Sequence, residues 1–190
     1  HLGLEPVLVD YDMETHNADL NEVESKLKEV KAVILAHTMG NPLDMARLMV
    51  EADQLGVSVI EDVCEAISSE IEGRKCGSWG KLGTFSFYPA HQITALGGGG
   101  MVTTDNKDLA LKIRSIRDWG KIYDWDSYLG DHKTRYSQKI DGIDYFKHYT
   151  YETLGYNMKL PEANAAYGRV QLKRLDGFTE KRIENFHYLK

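Results

Sequence analysis

Apolar residues along the chain follow two alternating rhythms. Val7-Leu8-Val9-Asp10 predicts a strand ending on an acid. Leu20, Val23 and Leu27 then recur at helical spacing, so a helix is expected from a cap at Asn17 or Asp19 to about residue 29. Ala32-Val33-Ile34-Leu35-Ala36 is an unbroken apolar run, the pattern of a strand buried on both faces of a parallel sheet. His37-Thr38-Met39-Gly40-Asn41-Pro42 forms the loop after it. Asp44 is placed to cap a second helix, in which Leu48, Ala52 and Leu55 keep the spacing and Gly56 supplies the stop. Val57-Ser58-Val59-Ile60-Glu61-Asp62 predicts the next strand. Strand and helix thus alternate with short connections through residue 62, the pattern of a doubly wound α/β fold.

Thr84-Phe85-Ser86-Phe87-Tyr88 is aromatic and β-prone, and predicts a buried strand that Pro89 ends, because proline cannot donate to a central ladder. His91 is thereby displayed just past a strand end, at the sheet edge where ligands of α/β folds collect. Gly97-Gly98-Gly99-Gly100 lets another backbone or a ligand come close. Met101 to Thr104 supplies another strand, and Asn106 to about Trp119 a helix with Leu109, Ile113 and Ile116 aligned. Residues 121–150 break the rhythm: Tyr123, Trp125, Tyr128, Tyr136, Tyr145, Phe146 and Tyr149 fall at no regular period. A stretch of this kind is expected to be a mobile, substrate-facing loop. From Leu160 a helical pattern runs to the end, with Pro161 in its first turn, a bend near Gly177 and an exposed apolar stripe.

Composition narrows the classes. A chain of 190 residues is about one domain and long enough to bury a core. A net charge of −6 leaves no basic footprint for nucleic acid or an anionic membrane. No apolar run approaches the roughly 20 residues of a membrane helix. Two cysteines, Cys64 and Cys76, make neither a disulfide framework nor a zinc set and point to a reducing cytoplasm. The glycine run precedes no Lys-Ser or Lys-Thr and lacks the Gly-x-Gly-x-x-Gly spacing, so it is neither a P-loop nor a dinucleotide fingerprint. A tight chain reversal is its plain reading.

The segment Ser86-Phe87-Tyr88-Pro89-Ala90-His91-Gln92-Ile93-Thr94 resembles the strand-to-loop segment of the sugar aminotransferases, pyridoxal-phosphate (PLP) enzymes acting on nucleotide-linked keto-sugars. Their sixth residue here is the lysine that forms the Schiff base; histidine at that place resembles the 3-dehydratase branch. Ile60-Glu61-Asp62-Val63-Cys64-Glu65-Ala66, Arg117-Asp118-Trp119-Gly120, His148-Tyr149-Thr150-Tyr151 and Gly155-Tyr156-Asn157-Met158-Lys159 extend the likeness over nearly the whole chain. It implies a type I aminotransferase-like large domain, a mostly parallel sheet with flanking helices, incomplete at both ends. Residues 1–120 would be the central part of the PLP-binding domain, 121–156 a long aromatic-rich loop, and 157–190 a helical segment leading toward a small domain.

The likeness also implies roles. Asp62 would stand beside the cofactor's ring nitrogen, Glu65 near its hydroxyl, and Ser86 at its phosphate, while Asn157 would reach the phosphate of a neighbouring subunit in a homodimer with shared active sites. Taken singly, Asp62 reads first as a helix cap, Ser86 as a strand serine bonded to backbone and Asn157 as a turn residue, while His91 reads equally as a loop histidine. Imidazole cannot form a Schiff base, so the cofactor would be held noncovalently, working as pyridoxamine phosphate (PMP), with His91 as proton-abstracting base. The implied reaction is C3 dehydration of a nucleotide-linked 4-keto-6-deoxy sugar in dideoxysugar and lipopolysaccharide O-antigen biosynthesis. Some enzymes of the branch hold a 2Fe-2S cluster on four cysteines and draw electrons from a reductase partner. This chain keeps Cys64 but has Tyr123-Asp124-Trp125 where a Cys-x-Cys is expected, so no cluster is expected here. Gly97 also stands where the family carries an acid. The rival readings are a nucleotide-sugar aminotransferase with its lysine elsewhere, and a non-catalytic, partner-dependent protein of the same fold.

Overall fold

β1 (Ala32–Ala36) and β2 (Ser58–Asp62) run parallel, with Ala32 opposite Ser58 and Ala36 opposite Asp62, because the helix α2 (Met45–Leu55) returns the chain between them. In the computed structural model, which describes residues 2–123 and 137–190, a short hairpin follows, β3 (Glu70–Ile71) with β4 (Arg74–Lys75). β5 (Leu82–Ser86) then joins β2 in parallel, and β6 (Gly100–Thr103) pairs antiparallel to β5, giving the order β1-β2-β5-β6. The result is a mixed, mostly parallel sheet flanked by helices. The chain divides into two units, His1–Thr103 with Glu162–Lys190, and Thr104–Pro161.

In the first unit the helix caps are the expected ones. Asp44 accepts from the N–H of Arg47 at 3.0 Å, and Gly56 takes the left-handed conformation, φ 68°, that ends α2. Asp19, not Asn17, caps α1 (Leu20–Lys26), which tightens into a 3-10 turn at Leu27–Glu29. Asn17 is buried instead, donating to the carbonyl of Asn41 and accepting from the N–H of Thr38, so it pins the loop after β1. Val23, Leu27, Met45, Leu48 and Ala52 pack with Leu35 and Val59 into one core on one face of the sheet.

Four expectations about strands and helices are corrected here. Val7 to Asp10 is not a strand: the carbonyl of Leu8 accepts from the Lys26 ammonium and the N–H of Asp10 donates to Glu22, so side chains of α1 occupy its backbone. β1 is buried on one face only. Leu35 is in the core, whereas Ile34 is 71% exposed, because α1 and α2 pack on the same side. β5 ends at Ser86, ahead of Pro89, although the N–H of Phe87 still bonds the carbonyl of Gly99. The last helical pattern is two helices, α4 (Glu162–Leu172) and α5 (Leu175–Leu189), broken at Lys173–Arg174. Leu175, the buried residue of α5, fixes that break, and Gly177 continues the helix with open space around it. Ile183, Phe186 and Leu189 of α5 are exposed, as the apolar stripe required.

In the second unit, Asn106 caps α3 (Lys107–Arg117) by accepting from the N–H of Leu109 at 3.0 Å. Residues 137–146 do have a period: β7 (Ser137–Ile140) and β8 (Ile143–Phe146) form a hairpin. Its two turn residues, Asp141 and Gly142, both have positive φ, 52° and 81°, as a type I′ turn demands. Gly120 and Gly155 meet backbone to backbone, and a Cβ on either would overlap the other segment. That contact brings Arg117-Asp118-Trp119-Gly120 beside Gly155-Tyr156-Asn157, with the N–H of Trp119 donating to Tyr156 and that of Tyr156 to Ile116. Trp125, Tyr128 and Tyr136 lie outside the described residues.

Candidate active site

The register of β2 and β5 decides which groups share a surface. Asp62 lies opposite Thr84, and side chains alternate along a strand, so Asp62, Thr84 and Ser86 belong to one face of the sheet. Ala36, opposite Asp62 on β1, adds a small residue to that face. Glu61 projects to the other side, toward the core covered by α1 and α2. Both Asp62 and Ser86 are the last residues of their parallel strands, at the carboxyl edge. There Asp62 accepts from the N–H of Cys64 at 3.0 Å, and the Ser86 hydroxyl accepts from the N–H of Tyr88 at 3.2 Å.

His91 lies in the long connection from β5 to β6, in a turn closed by its N–H on the carbonyl of Tyr88 at 3.0 Å. A pocket of about 340 Å³ opens beside it, lined by Met39, Glu65, Ala90, His91, Gln92 and Arg182. His91 and Glu65 therefore share one pocket. Asp62 and Ser86 share the sheet face at the strand ends from which these loops leave. The Glu65 carboxylate accepts from the N–H of Met39 at 2.6 Å, so it is already engaged with the loop after β1. Asn157 belongs to the second unit, where it bridges to Asp118 and is exposed.

Below this floor lies a network that the sequence reading missed. Glu61 is 1% exposed, and its carboxylate accepts from His37 Nε2 at 3.1 Å and from the N–H groups of Gly77, Trp79 and Gly80 at 2.6–2.7 Å. His37 Nδ1 accepts from the N–H of Leu43, which puts the ring proton on Nε2. Burial pushes the Glu61 carboxyl up, but the hydrogen bond from His37 and those from the glycine loop together outweigh it and hold the group below the ordinary carboxylate range. Gly80 and Gly83 are required there: a Cβ on either would overlap the backbone of Val59 or Gly77. Glu61 standing in phase with Val57 and Val59, at the alternate positions of a strand, was the available signal.

The thiols are not activated. Burial pushes Cys64 up to about 12, with the adjacent Asp62 adding to it, and burial pushes Cys76 up to about 11. Tyr123, in the stretch expected to face substrate, has its hydroxyl tied to Asp118 at 2.7 Å; burial and that bond raise it to about 12. It closes the second unit's own framework. No helix among the described residues is long and apolar enough to cross a membrane.

Comparison with known proteins agrees with this fold. The profile of the DegT/DnrJ/EryC1/StrS aminotransferase family matches residues 1–190. The chain is 41% identical to the lipopolysaccharide biosynthesis protein RfbH of Salmonella typhimurium, over 99% of its own length and 44% of that protein. It is 36% identical to the dTDP-4-dehydro-2,6-dideoxy-D-glucose 3-dehydratase of Saccharopolyspora spinosa, over 99% of its length and 41% of that enzyme. Among solved structures, an aminotransferase from Psychrobacter cryohalolentis superposes with a TM-score of 0.80 at 33% identity, over 97% of this chain and 44% of that one. The chain thus spans less than half the length of these relatives.

Proposed function

The chain belongs to the DegT/DnrJ/EryC1/StrS aminotransferase family, and from that premise we propose that it carries the cofactor floor and the base of a PLP/PMP-dependent sugar 3-dehydratase. The observation that carries this reading is the loop after β5. His91 stands in it beside a pocket, and no lysine occurs between Lys81 and Lys107. A carboxylate and a hydroxyl on one face at the carboxyl edge suit the ring nitrogen and the phosphate of such a cofactor. Asp62 would hold a protonated ring nitrogen, and Ser86 would donate its hydroxyl to the phosphate. When bound, the cofactor supplies an electron sink that makes a neighbouring C–H acidic. His91, whose imidazole cannot be covalently engaged by the cofactor, would serve as the general base that takes up that proton at its ring nitrogen. Its conjugate acid then has a proton to give to the departing C3 hydroxyl. Glu65, bonded to Met39, lines the same pocket.

The substrate class is a nucleotide-linked 4-keto-6-deoxyhexose, with dideoxysugar and O-antigen biosynthesis in the cytoplasm as the setting. Cys64 and Cys76 are fewer thiolates than a 2Fe-2S cluster needs, which favours completion of turnover by glutamate as amino donor. A 2Fe-2S cluster with a reductase partner is the competing route. Asn157 completes the site of a second subunit in a homodimer. The second reading, a nucleotide-sugar aminotransferase, is favoured by the similarity to the Psychrobacter enzyme.

Borohydride separates the two. The full-length protein loaded with PLP, reduced and then denatured, is expected to release its cofactor, whereas His91→Lys is expected to retain it covalently, read as added intact mass. Covalent retention by the unsubstituted protein would point to a lysine elsewhere and favour the aminotransferase.

A further inference from the structure

The loop that carries His91 leaves the regular ladder after the Phe87–Gly99 pair and needs partners for its backbone from outside the sheet. It is anchored in the middle by two buried side chains, Ile93 and Ala95. Two further anchors come from far along the chain. Asn164 of α4 donates its side-chain amide to the carbonyl of Ala95 at 2.7 Å, and Gly168, one turn on, brings that helix against Ala95. Arg182 of α5 donates its guanidinium to the carbonyl of Gln92 at 2.9 Å. The two carbonyls flank Ile93-Thr94, so consecutive helices seize the loop on either side of its buried centre.

Gln92 passes this restraint to a second loop. Its side-chain amide donates to the carbonyl of Glu65, which fixes the amide's orientation, because a flip would set two acceptors face to face. The other end, Gln92 Oε1, is buried with no partner among the described residues, an arrangement that persists only where surroundings enforce it. Thr179 of α5 meets Ser68 at 2.7 Å, tying the same helix to the segment after Glu65. The loops bearing His91 and Glu65 are thus both held to α5, and His91 is the residue next to the one Arg182 grips.

We propose that Asn164 and Arg182 are positioning residues, which fix His91 at the pocket by clamping its loop to α4 and α5. The inference rests on the reading of His91 as the base. A base displaced by a fraction of an ångström to one ångström loses much of its effect, and a charge-assisted hydrogen bond is worth about a tenfold change in an equilibrium. Arg182→Met is therefore expected to lower kcat by about tenfold or more with little change in KM. Arg182→Lys, which keeps a charged donor, is expected to recover most of it.

The test uses the full-length protein with PMP, glutamate as amino donor and GDP-4-keto-6-deoxymannose or CDP-4-keto-6-deoxyglucose, beside hydrogen exchange of residues 87–99 without cofactor. Faster exchange of that loop in Arg182→Met and Asn164→Ala, reversed in Arg182→Lys, supports the clamp together with the kcat loss. Should Arg182→Met fail to fold, Asn164→Ala decides by the same two readouts. Unchanged exchange and kcat overturn the proposal, and so does a rise in KM at constant kcat, which would make Arg182 a ligand contact. His91→Asn is measured in parallel. Lost turnover there with none lost in the clamp variants overturns the clamp alone, whereas retained turnover in His91→Asn overturns the reading beneath it, with loop exchange still reporting on the clamp.

Discussion

His91→Asn is expected to lower C3 deoxygenation by about 100- to 10,000-fold, the worth of a positioned general base. Asparagine keeps a polar side chain of similar reach but cannot accept a proton at neutral pH. The turn closed by the N–H of His91 on Tyr88 is a backbone contact and survives the substitution. Substrate binding is expected to change little, so the loss falls on kcat, measured in the full-length, PMP-loaded protein. Retained wild-type turnover would assign the proton transfer to another group, with Glu65 of the same pocket the first to examine.

Glu61→Gln is expected to destabilise the first unit by about 3–5 kcal/mol, the range found when one member of a buried charged network is removed. The carboxylate receives four donors, two on each oxygen: His37 Nε2 and the N–H of Gly77 on one, the N–H groups of Trp79 and Gly80 on the other. An amide nitrogen in place of either oxygen would face two donors with a third, leaving them unsatisfied in a buried site. The pH dependence has a definite sign. The folded state holds the Glu61 carboxyl below its ordinary value, so its contribution is complete at neutral pH and is lost as acid drives the pH down through that lowered value. Denaturant titrations across the acid range are expected to show a shallower fall for Glu61→Gln than for the parent. Equal stability of the two at neutral pH would mean that the network contributes nothing.

The β1–α2–β2 segment was legible in the sequence because each of its signals is local. Asp44 and Gly56 lie at the ends of the helix they cap, and Leu48 and Ala52 reveal its buried face by spacing alone. The double burial of β1 was misread because an apolar run states what a strand tolerates, not what covers it, and Ile34 is exposed here. The β7–β8 hairpin was overlooked although Asp141-Gly142 is a strong local turn signal; the aromatic irregularity around it drew the reading toward a loop. The candidate side chains follow from the likeness of the His91 segment, as residue types at or just beyond strand ends. Their supports were not. Glu61 is held by backbone groups of residues 77–80, and Gln92 by Arg182, 90 positions away, and neither relation leaves a periodicity or motif in the chain.

The central claim is that the site removes the oxygen at C3 of a 4-keto sugar, with His91 doing the proton transfer that a lysine performs in aminotransferases. The most direct measurement is the structure of the product. The full-length protein is incubated with PMP and GDP-4-keto-6-deoxymannose or CDP-4-keto-6-deoxyglucose, and the sugar is examined by NMR and mass spectrometry. A methylene at C3, absent when His91→Asn replaces the parent, is the predicted result. A 4-amino sugar that keeps its C3 hydroxyl would contradict it.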